Sequence, residues 1–144
     1  MQPADALAAL KLVPGYRAQL VAHEPIVVAP VAATFDEDGR LWVVEMDTYM
    51  PDINATGELQ PNNRIVVLED TNHDGTFATA KVFLDGLVLP RAVAPCYGGA
   101  LVLEPPSLFF CKDTDGDGKA DTKVKLLDGF GGRENPEHAG NGLM

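Results

Sequence analysis

The chain has 144 residues, 46% of them apolar, enough to build the core of one ordinary domain, which excludes a globally disordered polymer. Eleven basic against 21 acidic residues give a net charge of −10, which opposes phosphate and argues against nucleic acid as a partner. Fourteen glycines and 11 prolines argue against a helical bundle, and no apolar run approaches the roughly 20 residues of a membrane-spanning helix.

In chain order, residues 4–12, preceded by Pro3, predict a short helical turn stopped by Pro14-Gly15. The start lacks a basic segment followed by an apolar one, so no export signal is visible. Beyond it the pattern is β: strands are predicted at Arg17–Ala22, Val31–Phe35, Arg40–Met46, Arg64–Glu69, Thr79–Leu84, Ala92–Cys96, Ala100–Leu103, Leu108–Cys111 and Lys123–Leu127, each bounded by Gly, Pro, Asp or Asn.

The chain also repeats itself. Asp70, Asp74 and Gly75 recur 43 residues later as Asp113, Asp117 and Gly118, and Leu84-Asp85-Gly86 recurs at the same offset as Leu127-Asp128-Gly129. Upstream, Gly39 to Glu45 pairs with Gly99 to Glu104, with the glycines 60 apart, so the first copy carries about 17 extra residues. A four-stranded antiparallel unit repeating near 43 residues is the signature of a β-propeller blade. Residues 1–30 then form an N-terminal turn and a ring-closing strand, 31–84 blade one with the long loop 47–63, 85–127 blade two, and 128–144 the start of blade three. This all-β chain is expected to be about two and a half blades of a propeller, with the remaining blades beyond Met144.

Alternating strand direction sorts the loops. One side receives Asp36–Gly39 and the two acidic loops; the other receives the insertion and the interblade segments, where function is expected. In the second acidic loop Asp113, Asp115, Asp117 and Asp121 place oxygen donors at positions 1, 3, 5 and 9, with the Lys119 carbonyl at 7, a pattern suited to Ca²⁺. Position 12 is Val124 in place of a bidentate Glu, so the loop is EF-hand-like within a strand scaffold. The first copy offers Asp70, Asn72 and Asp74, with Ala78 and Lys81 at positions 9 and 12. Both loops join peripheral strands, so their ions are expected to be structural.

On the opposite side His138 precedes the innermost strand of blade three and is the candidate base. Arg91, Arg133, Glu45 and Tyr49 share that side and are candidates for orienting an anionic cofactor or a polyol. Trp42 is expected in the packing between blades. Cys96 and Cys111 lie two strands apart, about 9–10 Å, beyond disulfide reach, so free thiols are expected. Asn54-Ala55-Thr56 is a glycosylation sequon only in a host that glycosylates.

Leu12-Val-Pro-Gly-Tyr-Arg17, Ala22-His-Glu-Pro25, Phe35 to Glu45, the two Asp-Thr-x-x-Asp-Gly loops and Asn135 to Leu143 together resemble a bacterial family of membrane-bound dehydrogenases abundant in planctomycetes and their relatives. The resemblance implies a propeller similar to the soluble quinoprotein glucose and aldose dehydrogenases, which use pyrroloquinoline quinone (PQQ), often joined to a c-type haem domain. It implies oxidation of a sugar or polyol by hydride transfer to the quinone, with a histidine as base. The family pattern His-x-Gly-x-Arg-Leu falls on His138, Gly140, Gly142 and Leu143, with Gly142 where the pattern has arginine. Its cofactor clamp lies on later blades, so this chain alone is expected to be inactive. Acidic loops of this kind fill at calcium levels found outside the cytosol, so an exported, periplasmic or cell-envelope location is expected. The alternative reading is a non-catalytic, calcium-stabilised propeller that binds glycan or protein.

Overall fold

The computed structural model describes residues 2–134, 138–140, 142 and 143. Helix α1 (Pro3–Ala8) opens with proline in its first turn and carries Asp5 at its positive end. It stops short of the expected residue 12: it has no side-chain cap and buries nothing, and so short a helix gains little from its own hydrogen bonds.

The other extended elements among the described residues are β-strands. The first sheet holds β1 (Pro30–Phe35), β2 (Leu41–Glu45), β3 (Asn63–Leu68) and β4 (Ala80–Leu87); the second holds β5 (Ala92–Cys96), β6 (Gly99–Glu104), β7 (Ser107–Lys112) and β8 (Thr122–Asp128). Both are antiparallel with strands in chain order. The expected strand at Arg17–Ala22 is corrected: among the described residues the segment joins no ladder, and besides the packing of Val21 and Ala22 it is tied to the first acidic loop and the residues just past it by single hydrogen bonds. Gln19 Nε2 donates to the Gly75 carbonyl at 2.9 Å, and Phe77 N–H donates to the Val21 carbonyl at 2.7 Å. A strand needs a paired neighbour, and residues 17–22 lie across the face of the first sheet and are not laddered to the outer strand of either sheet.

Side-chain alternation gives each sheet two apolar faces. Leu41 and Val43 sit opposite Leu68 and Val66 on one face of the first sheet, and Trp42 and Val44 opposite Val67 and Ile65 on the other. Val21, Ala22, Ile26 and Val27 cover the former. The latter packs on the second sheet, where Trp42, Val44, Ile65, Phe83, Leu84 and Leu87 meet Val93, Ala100, Val102 and Cys111 in the main core. Trp42 stands edge-on to Phe83 with ring centroids 4.6 Å apart, so its expected place in the packing holds. The outer face of the second sheet buries Ala92, Leu103 and Leu108 under Phe130 and Leu143. β8, by contrast, is exposed along its length.

The register refines the repeat. Cys111 and Phe109 face the first sheet as Leu68 and Val66 face the N-terminal segment, 43 residues apart. On the second strands, however, Ala100 and Val102 take the places of Leu41 and Val43, so the offset there is 59 and Gly39 is not the counterpart of Gly99. Gly39 lies in the Asp36–Arg40 turn, whereas Gly99 lies in β6 where an added Cβ would come within 2.4 Å of the Cys111 carbonyl. The longer β1–β2 turn absorbs the extra residue. Cys96 and Cys111 are both free. Cys111 is in register with Ala100 and Cys96 with Gly99, so the thiols point to opposite faces. Among the described residues no helix is long and apolar enough to cross a membrane.

Candidate functional site

The turns between β1 and β2, β3 and β4, β5 and β6, and β7 and β8 share one end of the sheets. In the β7–β8 loop, Asp113 takes up three backbone donors: one oxygen accepts from Asp115 N (3.2 Å) and Gly116 N (2.7 Å), the other from Gly118 N (2.8 Å). These bonds, those from Gly116 and Gly118 foremost, hold the Asp113 carboxyl below the usual aspartate range. Asp115 and Asp117 each accept the N–H two residues on, at 3.2 and 2.7 Å. The outcome is a curl in which one oxygen each from Asp113, Asp115 and Asp117 lies within 4.8 Å of the others. Hard oxygens so spaced fit a Ca²⁺ donor set. Gly118, at φ +90°, makes the turn that a Cβ would strain. Asp121 is turned to another task, accepting from Thr114 N and, at 2.6 Å, Thr114 Oγ1. The Lys119 ammonium bridges 2.8 Å to Asp85 on β4.

The β3–β4 loop repeats the backbone pattern. Asp70 accepts from Asp74 N and, at 2.8 Å, Gly75 N, as Asp113 accepts from Gly118. Here Asn72 Nδ2 donates to Asp74 at 3.0 Å, so an amide partners the carboxylate, and the loop offers one acidic oxygen donor fewer.

Between the loops an open cleft of about 490 Å³ is lined by Asp36, Trp42, Lys81, Phe83, Tyr97 and Asp113, among others. Asp36 organises its wall. It accepts from Arg40 Nε (2.7 Å), Trp42 Nε1 (2.8 Å), Arg40 N (2.9 Å) and Asp38 N (3.0 Å). Burial alone would raise its pKa; the bonds from Trp42 and Arg40 outweigh that and lower it.

The opposite end carries the residues singled out for cofactor or substrate. Glu45 is buried, 2% exposed, and already engaged: it accepts from Val28 N at 2.8 Å and from Arg64 Nε at 2.5 Å. It therefore anchors the chain entering β1 and does not face solvent. Tyr49 receives Arg91, whose guanidinium carbon stands 5.7 Å from the ring centroid, a cation–π contact linking the β2–β3 insertion to the segment between β4 and β5. Arg133 Nε donates to the Pro105 carbonyl at 2.7 Å, and its Nη2 lies 3.4 Å from Glu104. His138 is exposed; Asn135, Pro136 and Glu137 of its motif lie outside the described residues. Thus Tyr49 with Arg91 meet, Glu45 stands apart with Arg64, and Arg133 joins a residue the sequence reading passed over.

That residue is Glu104, 4% exposed, which accepts from Val88 N (2.9 Å) and Lys123 Nζ (2.6 Å) as well as facing Arg133. Val28 with Glu45 and Val88 with Glu104 are the same device used twice: a carboxylate closing the second strand binds the N–H of the segment that leads into the first. Its signal was legible, since Gly39–Glu45 and Gly99–Glu104 both end in glutamate. Asp36 carries no such signal, because its donors, from Asp38 and Arg40 of its own turn and from the Trp42 indole on β2, converge only in the fold.

Neither a curated protein nor a solved structure matches the chain. One family profile does, over residues 2–144, and the chain belongs to that family, described as a domain of unknown function (DUF7133).

Proposed function

We propose that the chain forms the first blades of an exported β-propeller dehydrogenase of the PQQ-dependent type, which oxidises a sugar or polyol and carries structural Ca²⁺ in its acidic loops. The observation that carries this reading is the division of the two repeated units into a staple end and a cation-bearing end. At one end Asp113, Asp115 and Asp117 form an oxygen cage; at the other Arg91 and Arg133 are fixed by Tyr49 and Glu104. Long loops gather at the second end, where a rigid sheet can position them. His138, exposed beside Gly131, is the proposed base.

Arg91 and Arg133 suit an anionic quinone, whereas Glu45 is committed to Arg64 and Val28 and acts by holding that scaffold. Arg91 and Arg133 would hold the quinone, which would supply the hydride-accepting chemistry, and His138 would take the proton of the substrate hydroxyl. The further blades, and a c-type haem domain to receive the electrons, belong to the same proposal.

The test is dye reduction by the parent polypeptide, supplied with PQQ and Ca²⁺, across a panel of sugars and polyols. Turnover that falls at least about a hundredfold in His138→Ala, with the melting temperature kept, supports the reading. No turnover, together with saturable glycan binding, replaces it with the non-catalytic alternative.

A further inference from the structure

We infer that Asn54, on the insertion between β2 and β3, is an acceptor for N-linked glycosylation by a bacterial oligosaccharyltransferase, and that the glycan covers the apolar side chains beside it. From the proposed function the inference takes only export, which brings the chain to the compartment where such transferases work.

The sequence at this point is more than a bare sequon. Asp52-Ile53-Asn54-Ala55-Thr56 sets the acceptor amide at its centre, a hydroxyl two residues after it and a carboxylate two residues before it, with no proline between. Transferases that require an acid grip both ends of such a segment in extended form, the carboxylate by an arginine and the hydroxyl by a hydrogen bond. Asn54 is exposed, and among the described residues its carboxamide enters no hydrogen bond; only its backbone N–H is engaged.

The loop lets these five residues be straightened at little cost. Its base is fixed: Thr48 N–H donates to Asn63 Oδ1, Thr48 Oγ1 to the Glu58 carbonyl and Met50 N–H to the Glu58 carboxylate, each at 3.1 Å. Its apex bonds mainly to itself. Asp52 Oδ1 accepts from Asn54 N at 2.8 Å and Thr56 N at 3.1 Å, Ala55 N–H donates to the Asp52 carbonyl at 3.0 Å, and one bond, Glu58 N–H to the Ala55 carbonyl, joins apex to base. Extending the apex therefore breaks no bond to either sheet. It also frees Ala55 from φ +52°, a left-handed conformation that its Cβ crowds.

The reaction balances without a redox partner. The Asn54 amide nitrogen bonds to the anomeric carbon of a lipid-pyrophosphate-linked oligosaccharide, the carbon–oxygen bond to pyrophosphate breaks with its electron pair leaving on the lipid pyrophosphate, and the amide proton passes to a base of the transferase. The surroundings give the product a use. Ile53 is 96% exposed, Met50 57% and Leu59 55%, three apolar side chains on one loop of an acidic protein, open to proteases and to association. A bulky hydrophilic glycan on the residue next to Ile53 shields them.

The test incubates the folded 144-residue chain with an acid-requiring bacterial oligosaccharyltransferase and a lipid-pyrophosphate-linked oligosaccharide, and reads the intact mass. One glycan is expected, mapped to Asn54 and absent in Asn54→Gln. Asp52→Asn keeps an oxygen for the Asn54 and Thr56 N–H groups but removes the charge, so it should lower occupancy at least about tenfold, while Asp52→Glu keeps it. Thermolysin should cut before Ile53 at least about tenfold more slowly in the glycosylated chain. No glycan on the folded chain, equal occupancy in Asp52→Asn, or an unmodified Asn54 in the parent purified from its own cell envelope overturns the acceptor site; equal cleavage rates overturn the shield. Neither quinone nor sugar substrate enters the assay, so a failed dye-reduction test leaves this result standing, and the converse holds.

Discussion

Asp36 shows how much one turn residue can hold. Four donors converge on a side chain that is 5% exposed, and one of them fixes the indole of the core residue Trp42. Asp36→Ala should lose about 1–3 kcal/mol by stranding those donors, read as a lower denaturant midpoint at unchanged m-value. Because its folded-state pKa lies below the usual aspartate value, the unfolded chain binds that proton at higher pH. Its contribution is complete above the ordinary aspartate range and lost as pH falls through the lowered value. The wild type should thus lose more stability than Asp36→Ala on acidification below about pH 4. Cys111 shows the opposite shift: burial, chiefly, pushes its thiol up to about 11. At pH 8 a thiol reagent should modify half-buried Cys96 and reach Cys111 only on unfolding, as mass spectrometry of native and denatured protein would reveal.

Among the elements, the acidic loops are where sequence and geometry correspond most closely. If Asp113, Asp115 and Asp117 hold Ca²⁺, millimolar calcium should raise the melting temperature, and Asp115→Asn with Asp117→Asn should abolish the rise while leaving the apo melting temperature little changed. Asp113 is unsuited to that test, because its three backbone bonds shape the loop itself. All eight strands of the two sheets were legible, since alternation and bounding Gly, Pro and Asp mark them. Arg17–Ala22 has the same local pattern, but its strand would need an edge that no local signal supplies. The repeat is legible at Asp70 and Asp113, whereas on the second strands glycine identity gives an offset of 60 and side-chain facing gives 59. At the candidate site the residue types were visible but their partners were not: Glu45 reads as an available carboxylate until Arg64 and Val28 are found on it.

For the whole molecule, the N-terminal segment is a working part of the core. Val21→Asp would place a charge against Leu41, Val43 and Leu68, and should cost about 2–4 kcal/mol; the corresponding change at exposed Val13 should cost under about 0.5 kcal/mol. Thermal melts of the two variants would measure the difference. The two matching bonds, Phe77 to Val21 and Ala120 to Phe83, also have a dynamic consequence. Each unit is clamped by the element that precedes it, so loss of order should travel along the chain like a zip opened from one end. β8, whose outer edge no other strand pairs among the described residues, is where that opening begins, and its amides should exchange with deuterium first, those of β2 and β3 last.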